Sequence, residues 1–404
     1  MIRVLLIPSS DYLGHPFPQR HNHIFERVHD GKEFEVHVVR FTLFDKKRLK
    51  SKCIIHELPI ELKIGKTGAY YLANIPSFIT EILRIIKQES IDILVYGNLL
   101  PPLLSELSKR LAERRIPSIF DIQDYYPTSA TGYISNPDSI PGKILESFFK
   151  VMIDTLISHA SAITVPGIAL ALYVREVARS KLVHIVPNGV SEHFFKLYLE
   201  EGLKIRSKLG FEDGDLVIGY IGSIEFWLDM EPLLKAVADL RERGRRVRLL
   251  LVGRGLQSDY PERVETWLRK YNLLSISVWL DFIPHEEVPK YVATVDIGTI
   301  PFNTCNKTAW YAAPNKLWEY LSQGAEVVST QIPEALMFRN YVRIAKNWQE
   351  YTAIFTNTKR LGIGQRIEKR KTVEGILFSR TWENSASKIK RLIKYILRDA
   401  RVRK

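Results

Sequence analysis

Short runs of branched apolar residues alternate along this chain with longer stretches whose apolar positions recur every three or four residues. The first kind reads as strands of a parallel sheet covered on both faces, the second as helices with one apolar stripe. In the first half the pattern predicts strands over Ile2–Ile7, Phe34–Arg40, Ile91–Tyr96, Pro117–Asp121, Ala162–Val165 and Val183–Val186. Helices are expected between them, near 18–29, 76–88, 101–114, 142–159 and 168–178. Pro187-Asn188-Gly189 follows as a turn signal and a candidate hinge. The alternation then restarts. Strand Leu216–Ile221 is followed by a helix opened by Pro232, with Leu233, Leu234, Val237 and Leu240 inward and Gly244 at its end. Strand Val247–Val252, a helix around 261–271, and strands Ile276–Leu280 and Asp296–Ile300 come next. A helix beginning at Asn315 and a strand Glu326–Thr330 close the series, and the rest, from about 347, reads as mostly helical. The expected fold class is α/β, with two doubly wound Rossmann-like domains carrying ligand sites at the carboxyl ends of their strands. The boundaries expected are 1–187 and 188–383, with a C-terminal helix, 384–404, completing the first domain.

Bulk properties narrow the class. At 404 residues the chain is too long for one ordinary core, and its 46% hydrophobic and 25% charged residues are those of a globular protein. Two cysteines, Cys53 and Cys305, make no disulfide framework and fit a reducing, cytoplasmic setting. The first residues are too short for a signal-peptide core and read as a strand, and no apolar run is long enough to span a bilayer. A soluble protein is expected, attached at most to the inner face of a membrane. The formal charge of +13 fits a solvated basic surface, anionic lipid or polyphosphate ligands, or nucleic acid. Much of it lies at the end, in Lys388, Lys390, Arg391, Lys394, Arg398, Arg401, Arg403 and Lys404, interleaved with Leu392, Ile393, Ile396 and Leu397. That is a basic amphipathic helix; its short apolar stripe favours packing on a domain over contact with an anionic membrane. Nucleic acid is disfavoured, since no recognition motif is present and the tail lacks a stacking platform of aromatics.

The densest candidate chemistry lies in Pro314-Asn315-Lys316-Leu-Trp-Glu319-Tyr-Leu-Ser-Gln-Gly324. Asn315 is expected to cap a helix and Gly324 to end it. Lys316 in the first turn opposes the helix dipole unless an anion such as a phosphate is also present, and Glu319 shares its face at i+3. Such a helix start suits a ligand with phosphates and hydroxyls. Gly219-Tyr-Ile-Gly222-Ser223 at a strand end is a tight turn or a phosphate contact. Arg254, between Gly253 and Gly255 after the next strand, is a solvated loop residue or a phosphate ligand, the latter favoured by its place at a strand end. Lys307, Trp310 and Tyr311 precede the helix in a loop that is either plain surface or a clamp for a sugar or base. In the first half, Gly14-His15-Pro16 and Asp121-Ile-Gln-Asp124 follow strand ends. His15 reads as a cleft residue, and Asp124 as a cap of the next turn or a group that binds hydroxyls and moves protons. His21 and His23 lack a partner at metal-ligand spacing, and Asp213-Gly-Asp215 reads as a turn.

Taken in order, these stretches resemble the retaining glycosyltransferases of family 4 (glycosyltransferase group 1), which have the two-domain B fold. The matches are Asp121-Ile-Gln-Asp-Tyr-Tyr-Pro127, Val186-Pro-Asn-Gly-Val190, Ile218-Gly-Tyr-Ile-Gly-Ser223 and Leu250-Leu-Val-Gly-Arg-Gly255. They continue through Ile283-Pro-His-Glu-Glu-Val-Pro289, Asp296-Ile-Gly-Thr-Ile-Pro-Phe302, Pro314–Gly324 and Thr381-Trp-Glu383. The resemblance implies two domains facing across a cleft and a UDP- or GDP-sugar donor, with no cofactor or metal. It places Glu319 on the nucleotide ribose, Lys316 near the donor phosphates with Asn315 and Arg254 beside them, and Gly222 and Ser223 in the phosphate loop. Ile283 and Pro284 would border the nucleobase, Gly14 and His15 would form the first acceptor-side loop, and Asp124 would face the transferred sugar. His15, Asp124 and Lys316 are thus the expected catalytic groups. Three positions depart from the common pattern: Tyr311 replaces a first glutamate, and Ser223 and Leu228 replace an arginine and a lysine. The implied activity is retaining transfer of a hexose-type sugar to an acceptor hydroxyl on a glycan or lipid-linked glycan. The alternative is a sugar-nucleotide epimerase or a non-catalytic sugar-nucleotide-binding relative of the same fold.

Overall fold

A computed structural model describes residues 1–15, 17–41, 47–58, 73–98, 101–255 and 259–402. Pro16, Arg403, Lys404 and the side chain of Arg401, all named above, lie outside the described residues. The chain divides into two compact units, one of Met1–Gly189 with Trp382–Lys404, the other of Val190–Thr381.

The first unit is built on seven strands: β1 (Ile2–Ile7), β2 (Phe34–Phe41), β3 (Ile54–Leu58), β4 (Ile93–Tyr96), β5 (Ser118–Asp121), β6 (Ala162–Val165) and β7 (Leu182–Ile185). They pair in parallel in the order β3-β2-β1-β4-β5-β6-β7. The order reverses beside β1, so the carboxyl ends of β1 and β4 flank a topological switch point. Val4, Leu6, Val36, Val38, Ile93, Val95 and Ile119 face one core, and helix Trp382–Val402 closes over it with Ala386, Ile389, Leu392 and Ile393 buried. Lys390 and Lys394 on that helix bond Asp30 (2.9 Å) and Glu33 (2.5 Å). The basic C-terminal helix therefore spends its apolar stripe on this core. Trp382 stacks on His23 at 4.6 Å and presses on Gly189 so closely that a Cβ there would lie 2.5 Å from the indole.

Two buried ion clusters fix the loops at this unit's strand ends. Asp11 accepts from the Arg40 guanidinium (2.8 and 3.2 Å) and from the backbone N–H groups of Leu13 and Gly14. Asp121, at the end of β5, accepts from Arg20 Nε (3.0 Å), Arg20 Nη2 (3.1 Å), His21 Nε2 (3.1 Å) and the Thr164 hydroxyl (2.6 Å). Arg20 also donates to the Asn188 side chain at 2.8 Å. Burial alone would raise the Asp121 carboxyl, but Arg20 and His21 hold it far below the usual carboxylate range.

The second unit repeats the winding with β8 (Leu216–Ile221), β9 (Val247–Val252), β10 (Ser277–Leu280), β11 (Ile297–Ile300), β12 (Glu326–Ser329) and β13 (Arg343–Ile344). All pairs are parallel, in the order β10-β9-β8-β11-β12-β13, with the switch point between β8 and β11. Close packing puts glycine where elements touch. A Cβ on Gly298 in β11 would lie 2.2 Å from the ring of Tyr320, whose hydroxyl accepts from the Ile221 N–H at 2.9 Å.

The structure corrects several expectations. Pro232 does not open its helix, which runs Met230–Glu242 with the proline in the first turn. Asn315 stands at the N-cap position of helix Lys316–Ser322 but makes no capping bond; its backbone is already helical (φ −61°, ψ −35°), which turns the side chain away from the free N–H groups. Strand β3 went unpredicted because it is a half-exposed edge strand, Ile-Ile-His-Glu-Leu, without an unbroken apolar run. Helix Tyr126–Ile134 carries proline, threonine and glycine, residues that weaken a helical reading.

Two outcomes are expected. Gly298→Ala should destabilise the second unit by about 1–3 kcal/mol, since the new methyl overpacks the Tyr320 ring, read as a lower urea midpoint. Asp121→Asn should cost the first unit about 3–5 kcal/mol at neutral pH, because Arg20 stays buried without its counter-charge. The folded pKa of Asp121 is depressed, so its contribution is complete above about pH 4 and shrinks below it. The stability gap between wild type and variant should therefore narrow in urea titrations run below that pH.

Candidate functional site

At the carboxyl edge of the second sheet, backbone meets backbone. The parallel ladder runs one residue past each strand: Gly222 N–H donates to Val252 O (2.8 Å) and Gly253 N–H to Leu280 O (2.9 Å). Gly222 has φ +143° and Gly253 φ +112°, conformations that side chains resist. A Cβ on Gly253 would lie 2.4 Å from the carbonyl of Gly222, and one on Gly222 would lie 2.6 Å from Lys316 Nζ. Only glycine lets the lysine lie against this turn. Its ammonium stands 5.3 Å from the ring centre of Tyr220, whose hydroxyl donates to Ser223 O at 2.7 Å and thereby pins the loop.

Helix Lys316–Ser322 starts beside that turn. The Asn315 carbonyl accepts from the Trp318 and Glu319 N–H groups (2.9 and 3.0 Å), and Asn315 Oδ1 is buried without a hydrogen-bond partner. Gly324 (φ +68°) follows the helix end. Burial pushes the Lys316 ammonium below its ordinary value and the Glu319 carboxyl above its own, and each charge partly offsets the other's shift. Thus the Lys316 ammonium lies against the strand-end turn, and Glu319 and the unpartnered Asn315 Oδ1 belong to the same first turn of helix. Such groups suit a ligand that brings phosphate oxygens and hydroxyls.

The other expected donor-side residues lie further out. Ser223 follows Gly222 and gives its carbonyl to Tyr220. Arg254 is 64% exposed with Nε 3.4 Å from an Asp281 oxygen, a surface pairing. Its carbonyl accepts from the Ile224 N–H (3.2 Å). Ile283 packs on the core, and Pro284 is exposed at the start of a turn of 3-10 helix. Lys307 and Trp310 are exposed in a short helix capped by Asn306, and Tyr311 is half-buried behind it. Leu228, in contrast, is only 2% exposed and bridges to Phe302.

In the first unit, Asp124 accepts from Asn98 Nδ2 at 2.7 Å. Burial raises its carboxyl above the usual range, against the bonds from Ser129 and Asn98. Asn98 follows β4, its N–H donates to Ser9 Oγ after β1 (3.3 Å), and its Oδ1 is buried without a partner. Gly97 brings the two strand ends together, since a Cβ there would lie 2.1 Å from Ser9 Oγ. Gly14 belongs to the loop held by Asp11. His15 is half-buried with Nδ1 2.8 Å from Phe17 O, and burial lowers its pKa. The same Nδ1 also lies 3.3 Å from the Phe17 N and 3.2 Å from Gln19 Nε2, so the ring is held by its Nδ1 edge. Asn98, Ser9 and Tyr220 escaped the sequence reading. Gly97-Asn98 directly after a strand was the available signal; nothing local marked Tyr220.

Two family models match. "Glycosyltransferase Family 4" covers residues 20–194 and "Glycosyl transferases group 1" covers 215–348. A 2-deoxystreptamine glucosyltransferase of Streptomyces kanamyceticus is 26% identical over 127 residues, which are 31% of this chain. The match spans only 32% of that relative's own length. Among solved structures, sucrose-phosphate synthase from Thermosynechococcus elongatus superposes with TM-score 0.74 at 14% identity, over 99% of this chain and 100% of that one. Anabaena HepE in complex with UDP and glucose gives TM-score 0.70 at 15% identity, over 98% and 100%. At such identities the likeness concerns the fold. With one family model on each unit and the fold shared by glycosyltransferase structures, the chain belongs to the family 4 (group 1) glycosyltransferases of the B fold.

Proposed function

We propose that the chain transfers a hexose-type sugar from a UDP- or GDP-sugar to an acceptor hydroxyl with retention of configuration. The observation that carries this reading is the Lys316 ammonium lying against the Gly222 turn, one helical turn from Glu319. A donor diphosphate over Gly222 and Ser223 supplies the anion that Lys316 and the helix start lack. Glu319 takes the ribose hydroxyls, and Asn315 Oδ1 accepts from a donor hydroxyl. Ile283 and Pro284 border the base, with Arg254 reaching the phosphates from the rim. As the sugar–phosphate bond breaks, charge grows on the leaving diphosphate, and fixed donors stabilise it most there. HepE, with a similar fold, is known with UDP and with UDP-glucose, which supports a nucleotide-sugar donor.

Asp124, held by Asn98, and His15, with Gly14 beside it, serve the transferred sugar and the acceptor. A lipid-linked glycan is the proposed acceptor. Helix Ile140–His159 exposes Ile140, Ile144, Phe148 and Val151, a stripe at helical spacing that an apolar carrier could cover. No helix among the described residues is long and apolar enough to cross a membrane, so the reading is of contact at a cytoplasmic membrane surface.

Calorimetry with UDP and GDP tests the site. Lys316→Ala and Glu319→Ala should each weaken binding about tenfold or more, as loss of a charged hydrogen bond implies. Affinity like the wild type's in both variants would overturn the assignment. Because burial lowers the Lys316 pKa and a bound diphosphate raises it again, binding should weaken as pH rises through the free ammonium's pKa. That weakening should disappear in the Lys316→Met variant.

A further inference from the structure

Side chains 35, 37, 39 and 41 of β2 share one face of the first sheet, because alternate residues of a strand point the same way. Phe41 on that face meets Phe78 of helix Ile75–Gln88 at 5.1 Å between ring centres, so the helix covers it. At the covered face, His37 of β2, His56 of β3 and Glu89 at the helix C-terminus converge, with one ligand atom from each within 4.8 Å of the others. His37 is 1% exposed, and His56 and Glu89 are half-buried. From these residues we propose a binding site for one divalent transition metal of the zinc type, separate from the strand-end residues assigned to the donor and acceptor.

The tautomers carry the argument. His37 Nε2 lies 3.3 Å from Glu35 Oε1, and Glu35 Oε1 is held in turn by Arg3 Nε at 3.1 Å. A carboxylate beside Nε2 keeps the proton there, so the lone pair of His37 is on Nδ1. Nδ1 points at His56 Nε2, 2.9 Å away. The ring planes are within 17° of parallel and the centres 5.2 Å apart, so the two nitrogens meet edge to edge. Carboxylate, imidazole N–H and an inward lone pair on the opposite nitrogen form the arrangement that orients metal-bound histidines.

The third ligand is fixed by its backbone. Glu89 caps the helix, its N–H bonded to Ile85 O and its carbonyl accepting from Arg3 Nη1 at 3.1 Å. Two neutral imidazoles and one carboxylate are a three-ligand set that zinc accepts, leaving its fourth position to water. The surrounding charge also suits a cation. Glu35 and Glu89 supply two negative charges against Arg3. Arg84 is already paired with Glu81 at 2.6 Å.

Binding displaces the proton of the His56 Nε2–H···Nδ1 His37 hydrogen bond to His56 Nδ1 by exchange through solvent, so His56 ligates as a neutral imidazole and no net proton is released. With bonds of 2.0–2.1 Å, a tetrahedral metal spreads two ligand atoms to about 3.3 Å. The half-buried His56 ring therefore moves back by a few tenths of an ångström, while His37 and Glu35 stay in place.

The test uses the full chain without an affinity tag, stripped with a chelator and titrated with Co²⁺ and Zn²⁺. One equivalent should bind, with ligand-field absorption in the visible for Co²⁺. Calorimetry in two buffers of different ionisation heat should report no net proton release, as expected of neutral imidazole ligands. His56→Gln and Glu89→Gln should each lose the absorption band while keeping the circular dichroism of the metal-free wild type. Glu35→Gln, which touches no metal, should weaken affinity about 10–100-fold. Calorimetric UDP binding should be unchanged in all three variants, so the metal assignment and the donor-site reading can fail separately. Absence of stoichiometric binding by the wild type, or binding unaffected by both ligand variants, would overturn the proposal.

Discussion

Backbone passing backbone at Gly222 and Gly253 is the constraint on which the second unit's strand-end edge depends. A side chain at either position would separate β8 from β9 or displace Lys316 from the turn. The same economy of space recurs at Gly298 against Tyr320, whose hydroxyl reaches the last residue of β8. Helix Lys316–Ser322 is thus seated against β8 and β11 by the same two kinds of contact, a missing Cβ and an aromatic ring. Its first turn is delivered to the strand end as a consequence of core packing.

The two units treat buried charge differently. Asp121 is saturated, with two bonds from a guanidinium, one from an imidazole and one from a hydroxyl, and its pKa is held low. Such a cluster fixes the loop before helix Arg20–Val28 and has little left with which to bind. Lys316 and Glu319 are shifted the other way, each toward its neutral form, because burial outweighs their mutual attraction. Asp124 is shifted in the same sense. Charges that the protein has left under-compensated are those a ligand can stabilise. By this criterion Asp121 is structural, and Asp124, Lys316 and Glu319 are the candidates.

The sequence displayed the fold well because its strands are short apolar runs separated by helices of one stripe, and parallel sheets buried on both faces require that pattern. It hid β3, an edge strand with a histidine and a glutamate, and helix Tyr126–Ile134, whose residues favour turns. The candidate site was legible where chemistry sits in one short motif, as in Pro314–Gly324. It was not legible where tertiary contact creates the environment. Tyr220 reads as one more strand residue until its hydroxyl is seen on Ser223 O, and Asn98 gains its meaning from Asp124, 26 positions away in sequence. Arg254, which its strand-end position offers as a phosphate ligand, stands exposed at the rim beside Asp281, a pairing that strand position alone does not reveal.

The departures from the family's common pattern acquire a physical reading here. The position where relatives carry a lysine is Leu228, which is buried and bridged to Phe302. A charge in place of that buried side chain would be desolvated, at a cost of several kcal/mol. The position of the usual arginine is Ser223, whose carbonyl is engaged by Tyr220. On the proposed reading, the diphosphate then meets one well-placed side-chain cation together with backbone donors and a helix start. Lys316 in turn reaches the turn only because residue 222 is glycine, and it loses solvation by doing so. An anion restores what that burial removes, so diphosphate binding and protonation of Lys316 are coupled at a single turn of chain.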